Sequence, residues 1–196
     1  MASDAPSWRG ERVKDIMHQS ADSMGQTFVM AEPAPRKAVE TTPDGHHIVV
    51  DGRRWRASDP RIPPLLRAEL VAELMRARRE LRTRGDAVRP YVHDAKLALG
   101  ERGDPWWEGT PQGTRVRLAA TMRTLLRHRS GSTICPSDAA RVVGGERWRD
   151  LMNVALEVTG DLVAAGEVVV QQQGAEVQLA DAKGPIRLAP GPCLGR

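Results

Sequence analysis

Arg147, Arg149 and Asn153 fall close together in a chain of 196 residues, and their types suit the reading of a DNA duplex. An arginine can donate two parallel hydrogen bonds to guanine, and an asparagine can pair with adenine in the same bidentate way. Arg141 lies a little upstream and Lys183 and Arg187 lie downstream, where they could hold phosphates, contacts that position a protein on a duplex without reading its bases. A second basic cluster, Arg54 and Arg56 on either side of Trp55, offers auxiliary phosphate contacts. Three acids weigh against this chemistry. Asp150, Glu157 and Asp161 share the Arg147–Arg149 region, and the stretch Gln171-Gln172-Gln173-Gly174 has no charge where a phosphate-binding loop would carry lysine or arginine.

Other chemistry is hard to assemble. The five histidines are His18, His46, His47, His93 and His128. A closed zinc site needs four convergent ligands, and adjacent His46 and His47 point to opposite sides of a strand. Cys135 stands at a helix start, where the helix end can acidify a thiol; a capping or packing role is favoured. It lies far from Cys193, so neither a disulfide framework nor a cysteine zinc site follows. No phosphate loop, serine elbow or dinucleotide fingerprint occurs. The expectation is a non-enzymatic protein with no metal and no cofactor. Its net charge of +4 is compatible with a nucleic-acid partner without requiring one. The first 45 residues carry 5 basic and 7 acidic side chains, residues 46–110 carry 13 and 10, and residues 111–196 carry 11 and 8, so the basic excess belongs to the segments expected to fold. No run is apolar enough to span a membrane, and the N-terminus lacks a signal-peptide core. A cytoplasmic protein is expected.

The elements that must position these side chains are mainly α with small β, an α+β chain. Residues 114–190 have the order of a winged helix-turn-helix. Arg115 to Arg129 sets Val116, Leu118, Ala119, Met122, Leu125 and Leu126 at helical spacing, with Arg117, Arg123 and Arg127 between them. Pro136 suits the first position of a second helix that Gly144-Gly145 ends. A third helix is expected from Glu146 with Trp148, Leu151, Met152, Ala155, Val158 or Thr159, and Leu162 inward. That leaves Glu146, Arg147, Arg149, Asp150, Asn153 and Glu157 outward. Strands follow at 167–170 and 176–179, with a wing tip at Gln173-Gly174-Ala175 and a last strand at 185–188.

Ile134-Cys135-Pro136-Ser137, Ala140-Arg141, Trp148-Arg149, Leu151-Met152 and Gly184-Pro185-Ile186-Arg187-Leu188 carry a resemblance to an uncharacterised bacterial family of winged-helix-like C-terminal domains. The resemblance implies the fold and brings no established activity.

The rest of the chain divides in two. Residues 1–45 are expected to be a mostly disordered tail and linker, rich in proline from Ala31 to Gly45. Within it Trp8, Val13, Ile16, Met17 and Met24 could line a short docking helix. Residues 46–108 are expected as a β-hairpin, turning at Asp51-Gly52, followed by a helical hairpin of 65–84 and 88–99. Trp106-Trp107 would cap its small core, and Gly109 to Gly113 would link it to the winged helix. Val50 to Arg56, Leu70 to Met75, Leu97 to Gly103 and Pro105 to Glu108 resemble a bacterial family of small uncharacterised proteins. Such proteins are sometimes labelled transporter components, a label that fits poorly with the lack of a membrane segment. Two functions stay open. One is a winged-helix DNA-binding or transcription-associated protein with double-stranded DNA as partner. The alternative is a non-enzymatic protein-interaction adaptor, binding its partner through the tail or the exposed helix 65–84.

Overall fold

Asp51 and Gly52 both take positive φ, 49° and 74°, as a type I′ turn requires. They join β2 (His47–Val50) to β3 (Arg53–Arg56), with Ile48 opposite Trp55 and Val50 opposite Arg53. Arg54 and Arg56 therefore share one face and Trp55 the other, as the alternation predicts. The computed structural model describes residues 40–195; the expected tail helix lies outside the described residues. The expected linker ends earlier than Gly45, because β1 (Glu40–Thr41) already pairs with β2 and completes a three-stranded antiparallel sheet. Thr42 and Asp44 then hold the intervening turn through hydrogen bonds to His47 and His46.

Pro64 opens α1 (Pro64–Arg84), where a missing N–H costs nothing. Leu66, Leu70, Leu74 and Ala77 form its buried stripe. The helical ion pairs expected at Glu73–Arg76, Arg76–Glu80 and Glu80–Arg84 all form. Glu73, however, is fully buried, so one end of that row faces the core. A 3-10 turn (Gly85–Val88) leads into α2 (Arg89–Ala98).

The stretch Gly109 to Gly113, expected as a linker, instead begins the central helix α3 (Pro111–His128). Thr110 caps it, accepting from the Gly113 N–H at 3.0 Å. The Asp104 carboxylate closes over this end, accepting from the Thr110 hydroxyl at 2.5 Å and the Thr110 N–H at 3.1 Å. Those bonds, the hydroxyl's foremost, hold the Asp104 carboxyl below its usual range. A Cβ on Gly113 would lie 2.0 Å from the Asp104 Oδ2, so only glycine leaves room for the carboxylate.

α3 packs against α1, α2, α4 (Pro136–Gly144) and α5 (Met152–Ala164). One continuous apolar core runs from Ile62 and Leu66 through Leu118, Met122 and Leu125 to Val170 and Leu188. The segments 46–108 and 114–190 share that core, and the described residues 40–195 belong to one compact unit. Two arginines expected merely between apolar positions are drawn inside by this packing. Arg117 is 8 % exposed and donates to Asp59 at 3.0 Å and to the Ala98 carbonyl at 3.2 Å. Arg127 donates to Asp94 at 2.7 Å and lies over the Tyr91 ring.

After α5 the chain forms β4 (Val168–Gln172), turns at Gln173-Gly174 with φ of 53° and 85°, and returns as β5 (Ala175–Glu176). The returning strand is shorter than the expected 176–179. The last strand, β6 (Arg187–Pro190), pairs with the other edge of β4, giving the order β5-β4-β6. Ile134 bridges to Leu188, which ties the α3–α4 connection to this sheet. The architecture is mainly α with two small antiparallel sheets. No helix among the described residues is long and apolar enough to cross a membrane.

Candidate nucleic-acid interface

The connection from α3 to α4 is fixed by one carboxylate. Asp138 accepts from the Cys135 N–H at 3.2 Å and pairs with Arg129 at 2.9 Å, and Arg129 also grips Glu69 on α1. Cys135 occupies the capping position, and its sulfur accepts from the Ser137 hydroxyl at 3.0 Å.

Gly145 ends α4 with φ of 56°, and a Cβ there would lie 3.0 Å from the Arg61 Cβ. The loop before α1 thus rests on the turn after α4. The third helix does not start at Glu146 as an α-helix. Gly145–Leu151 is a 3-10 stretch, interrupted at Arg147 (φ −89°, ψ 18°), and α5 begins at Met152. Two adjacent glycines leave the backbone unsupported there, and Trp148 anchors the stretch by packing against the core. Arg147 and Arg149 therefore sit on the 3-10 stretch, and only Asn153 lies in the first turn of α5.

The outward set is nevertheless the expected one: Glu146, Arg147, Arg149, Asp150, Asn153 and Glu157 are all exposed. The guanidinium groups of Arg141 and Arg149 lie 4.7 and 4.5 Å from the Trp148 ring centre. A planar cation held on an indole face keeps its N–H edge available for other acceptors. Arg147 is 86 % exposed along its side chain and donates to Asp150 at 3.1 Å.

The unfavourable acids have a partner that the sequence reading passed over. Arg115, on the first turns of α3, binds both Glu157 and Asp161, the latter at 2.9 Å. Its spacing from α5 in the chain gives no local sign of this clasp. Arg61 and Arg67 are also unanticipated; they line, with Arg147, an open groove of about 800 Å³ between the Pro60–Val71 segment and the Gly144–Arg147 turn.

The remaining sequence candidates are dispersed. Lys183 is exposed between β5 and β6, its carbonyl accepting from the Gln172 amide. Arg187 donates to the Thr133 hydroxyl at 3.0 Å and carbonyl at 2.9 Å, so it clips β6 to the α3–α4 connection. Arg54 and Arg56 lie on the other sheet. Arg54 meets His47 at 3.2 Å. Arg56 donates to the Gly103 carbonyl at 2.7 Å and lies over Trp107, fastening the hairpin to the loop after α2. His46 stacks on Trp107 with ring centres 3.8 Å apart, and Trp106 donates to the Ala57 carbonyl at 3.1 Å. These contacts set the paired tryptophans against the base of the hairpin, at His46, Arg56 and Ala57.

No curated protein matches the chain. Residues 115–190, from the Arg115 clasp through the 3-10 stretch to the end of β6, match a family described as a protein of unknown function (DUF3253).

Proposed function

We propose that this chain is a non-enzymatic, transcription-associated DNA-binding protein in which residues 114–190 act as a winged helix-turn-helix. The supporting observation is the division of charge around α5. Arg141, Arg147, Arg149 and Asn153 stand exposed at its leading end, while Arg115 neutralises Glu157 and Asp161 further along. In this reading the 3-10 stretch enters the major groove with α5 behind it. Arg149 and Asn153 contact base edges, Arg147 exchanges Asp150 for a phosphate, and Arg141 and Lys183 hold the flanking backbone. This reading takes the protein as cytoplasmic and bacterial.

Binding to random duplex DNA across a salt series tests this. Each neutralised phosphate adds roughly 0.9 to the slope of log affinity against log salt, so Arg147→Ala with Arg149→Ala reduces the slope by about 1, for the phosphate that Arg147 holds. Absence of binding at low salt, or a slope unchanged in the double variant, sinks the reading. The uncharged tip at Gln173-Gly174 favours a second reading, a protein-interaction adaptor. Capture of a partner that survives both arginine substitutions and fails after deletion of residues 1–30 would select it.

A further inference from the structure

We propose that the groove between the β2–β3 hairpin and α1 is a docking site for an amphipathic helix of a partner protein, apolar along one face and bearing carboxylates at its flanks. The groove holds about 490 Å³; its floor and walls are Ile48, Val50 and Trp55 from the hairpin and Val71, Leu74 and Met75 from α1. Large apolar side chains are left open in it: Trp55 is 46 % exposed, Val50 40 %, Met75 39 % and Val71 36 %. A cluster of exposed apolar groups with a polar rim marks an interaction surface rather than ordinary scatter.

The rim specifies the partner's charge. Arg53 and Lys96 lie 5.3 and 5.9 Å from the Trp55 ring centre, and Arg78 lines the same groove. Among the described residues, none of these three cations has an ion-pair partner. The one acid lining the groove, Glu101, already accepts from the Ser58 hydroxyl at 2.9 Å. Burial pushes the Lys96 ammonium below its ordinary pKa, and Arg78 and Arg102 add repulsion that Glu101 only partly offsets. A carboxylate brought to this rim relieves that repulsion.

The dimensions suit a helix. Val71, Met75 and Arg78 stand at i, i+4 and i+7 on α1, so the groove runs along about 11 Å of it. That is the reach of a two-turn set of anchors on a partner helix. A second copy of this chain is a poor occupant, since two-fold pairing would set the cationic rim against itself. Unpaired nucleic acid is also disfavoured: such platforms stack successive bases on several aromatic rings, whereas here one indole stands among aliphatic side chains. The groove shares only Arg56 with the residues considered for DNA, and Trp55, Met75 and Arg78, which the test substitutes, take no part in that reading, so the two proposals fail separately.

The test is selection of displayed helical peptides on the full chain, followed by fluorescence anisotropy with the selected peptide made synthetically. Expected peptides carry apolar residues at i, i+3 or i+4, and i+7, flanked by Asp or Glu. Met75→Glu should weaken binding about tenfold or more, Arg78→Glu should weaken it too, and a lysine-flanked version of the peptide should fail. Both substitutions are at exposed positions, and unchanged thermal melting of each variant by circular dichroism confirms an intact fold. The proposal is overturned if no peptide is selected, or if the selected peptides lack excess carboxylates or ignore Met75→Glu. It is equally overturned if a labelled oligothymidylate binds in a way that Trp55→Ala abolishes, or if Met75→Glu converts a dimer of the chain to monomers.

Discussion

Arg117 and Arg147 are the same side chain in opposite settings. Helical periodicity places Arg117 between apolar positions of α3, which would suit a solvated residue. The loop at Asp59 and the end of α2 enclose it instead, and neighbours so distant in the chain leave no local trace. Arg117→Ala strips the buried Asp59 of a partner and should cost about 3–5 kcal/mol in urea denaturation. Arg147→Ala, at an open position, should stay within about 0.5 kcal/mol. Burial alone would raise the Asp59 carboxyl, but hydrogen bonds from Arg61 and the charge of Arg117 hold it below its ordinary value. A depressed carboxyl contributes stability above its unfolded pKa of about 3.9 and loses it as pH falls through the folded value. Acid titration of the native chain should therefore show a stability loss below about pH 4, and Asp59→Asn should flatten that limb from a lower starting stability. Arg115→Ala should release Glu157 and Asp161 and weaken duplex binding at low salt, although Arg115 itself faces α5.

Elements set by adjacent residues were legible. Asp51-Gly52 and Gln173-Gly174 specify tight turns through positive φ, and the stripe Ala155, Val158, Thr159 and Leu162 is buried as its spacing foretold. Boundaries that depend on capping or on distant packing were not. Pro111 and Gly113 suggested a linker, yet a proline in the first turn and a glycine beneath Asp104 make a helix start. Gly144-Gly145 correctly signalled the end of α4, but not that Gly145 would seat Arg61. Of the candidate interface, the outward set around Arg147 and Asn153 was readable from one helical stripe, whereas its 3-10 geometry and the Arg115 clasp were not. Gly145→Ala combines a positive φ with a close approach to Arg61. It should cost about 1–3 kcal/mol, visible as a lower melting temperature, and should weaken DNA binding by moving Arg147.

At the scale of the whole molecule, the hairpin-and-helices segment and the α3–β6 segment meet through one core, with Arg117 and Arg127 inside the join. Residues 40–195 should accordingly unfold in a single transition by tryptophan fluorescence and circular dichroism alike. A fragment of residues 111–195 should lose that cooperativity, since it bares the face of α3 that α1 and α2 cover. The join also bears on inheritance. A protein that carries the 115–190 segment without a counterpart of residues 46–108 would present the positions of Arg117 and Arg127 to water, with Asp59, Asp94 and Glu73 gone. In such lineages those two positions should drift freely among polar residues. Where both segments travel together, Arg117 and Asp59 should change in concert or not at all, so the tie between them is readable as covariation across descendants.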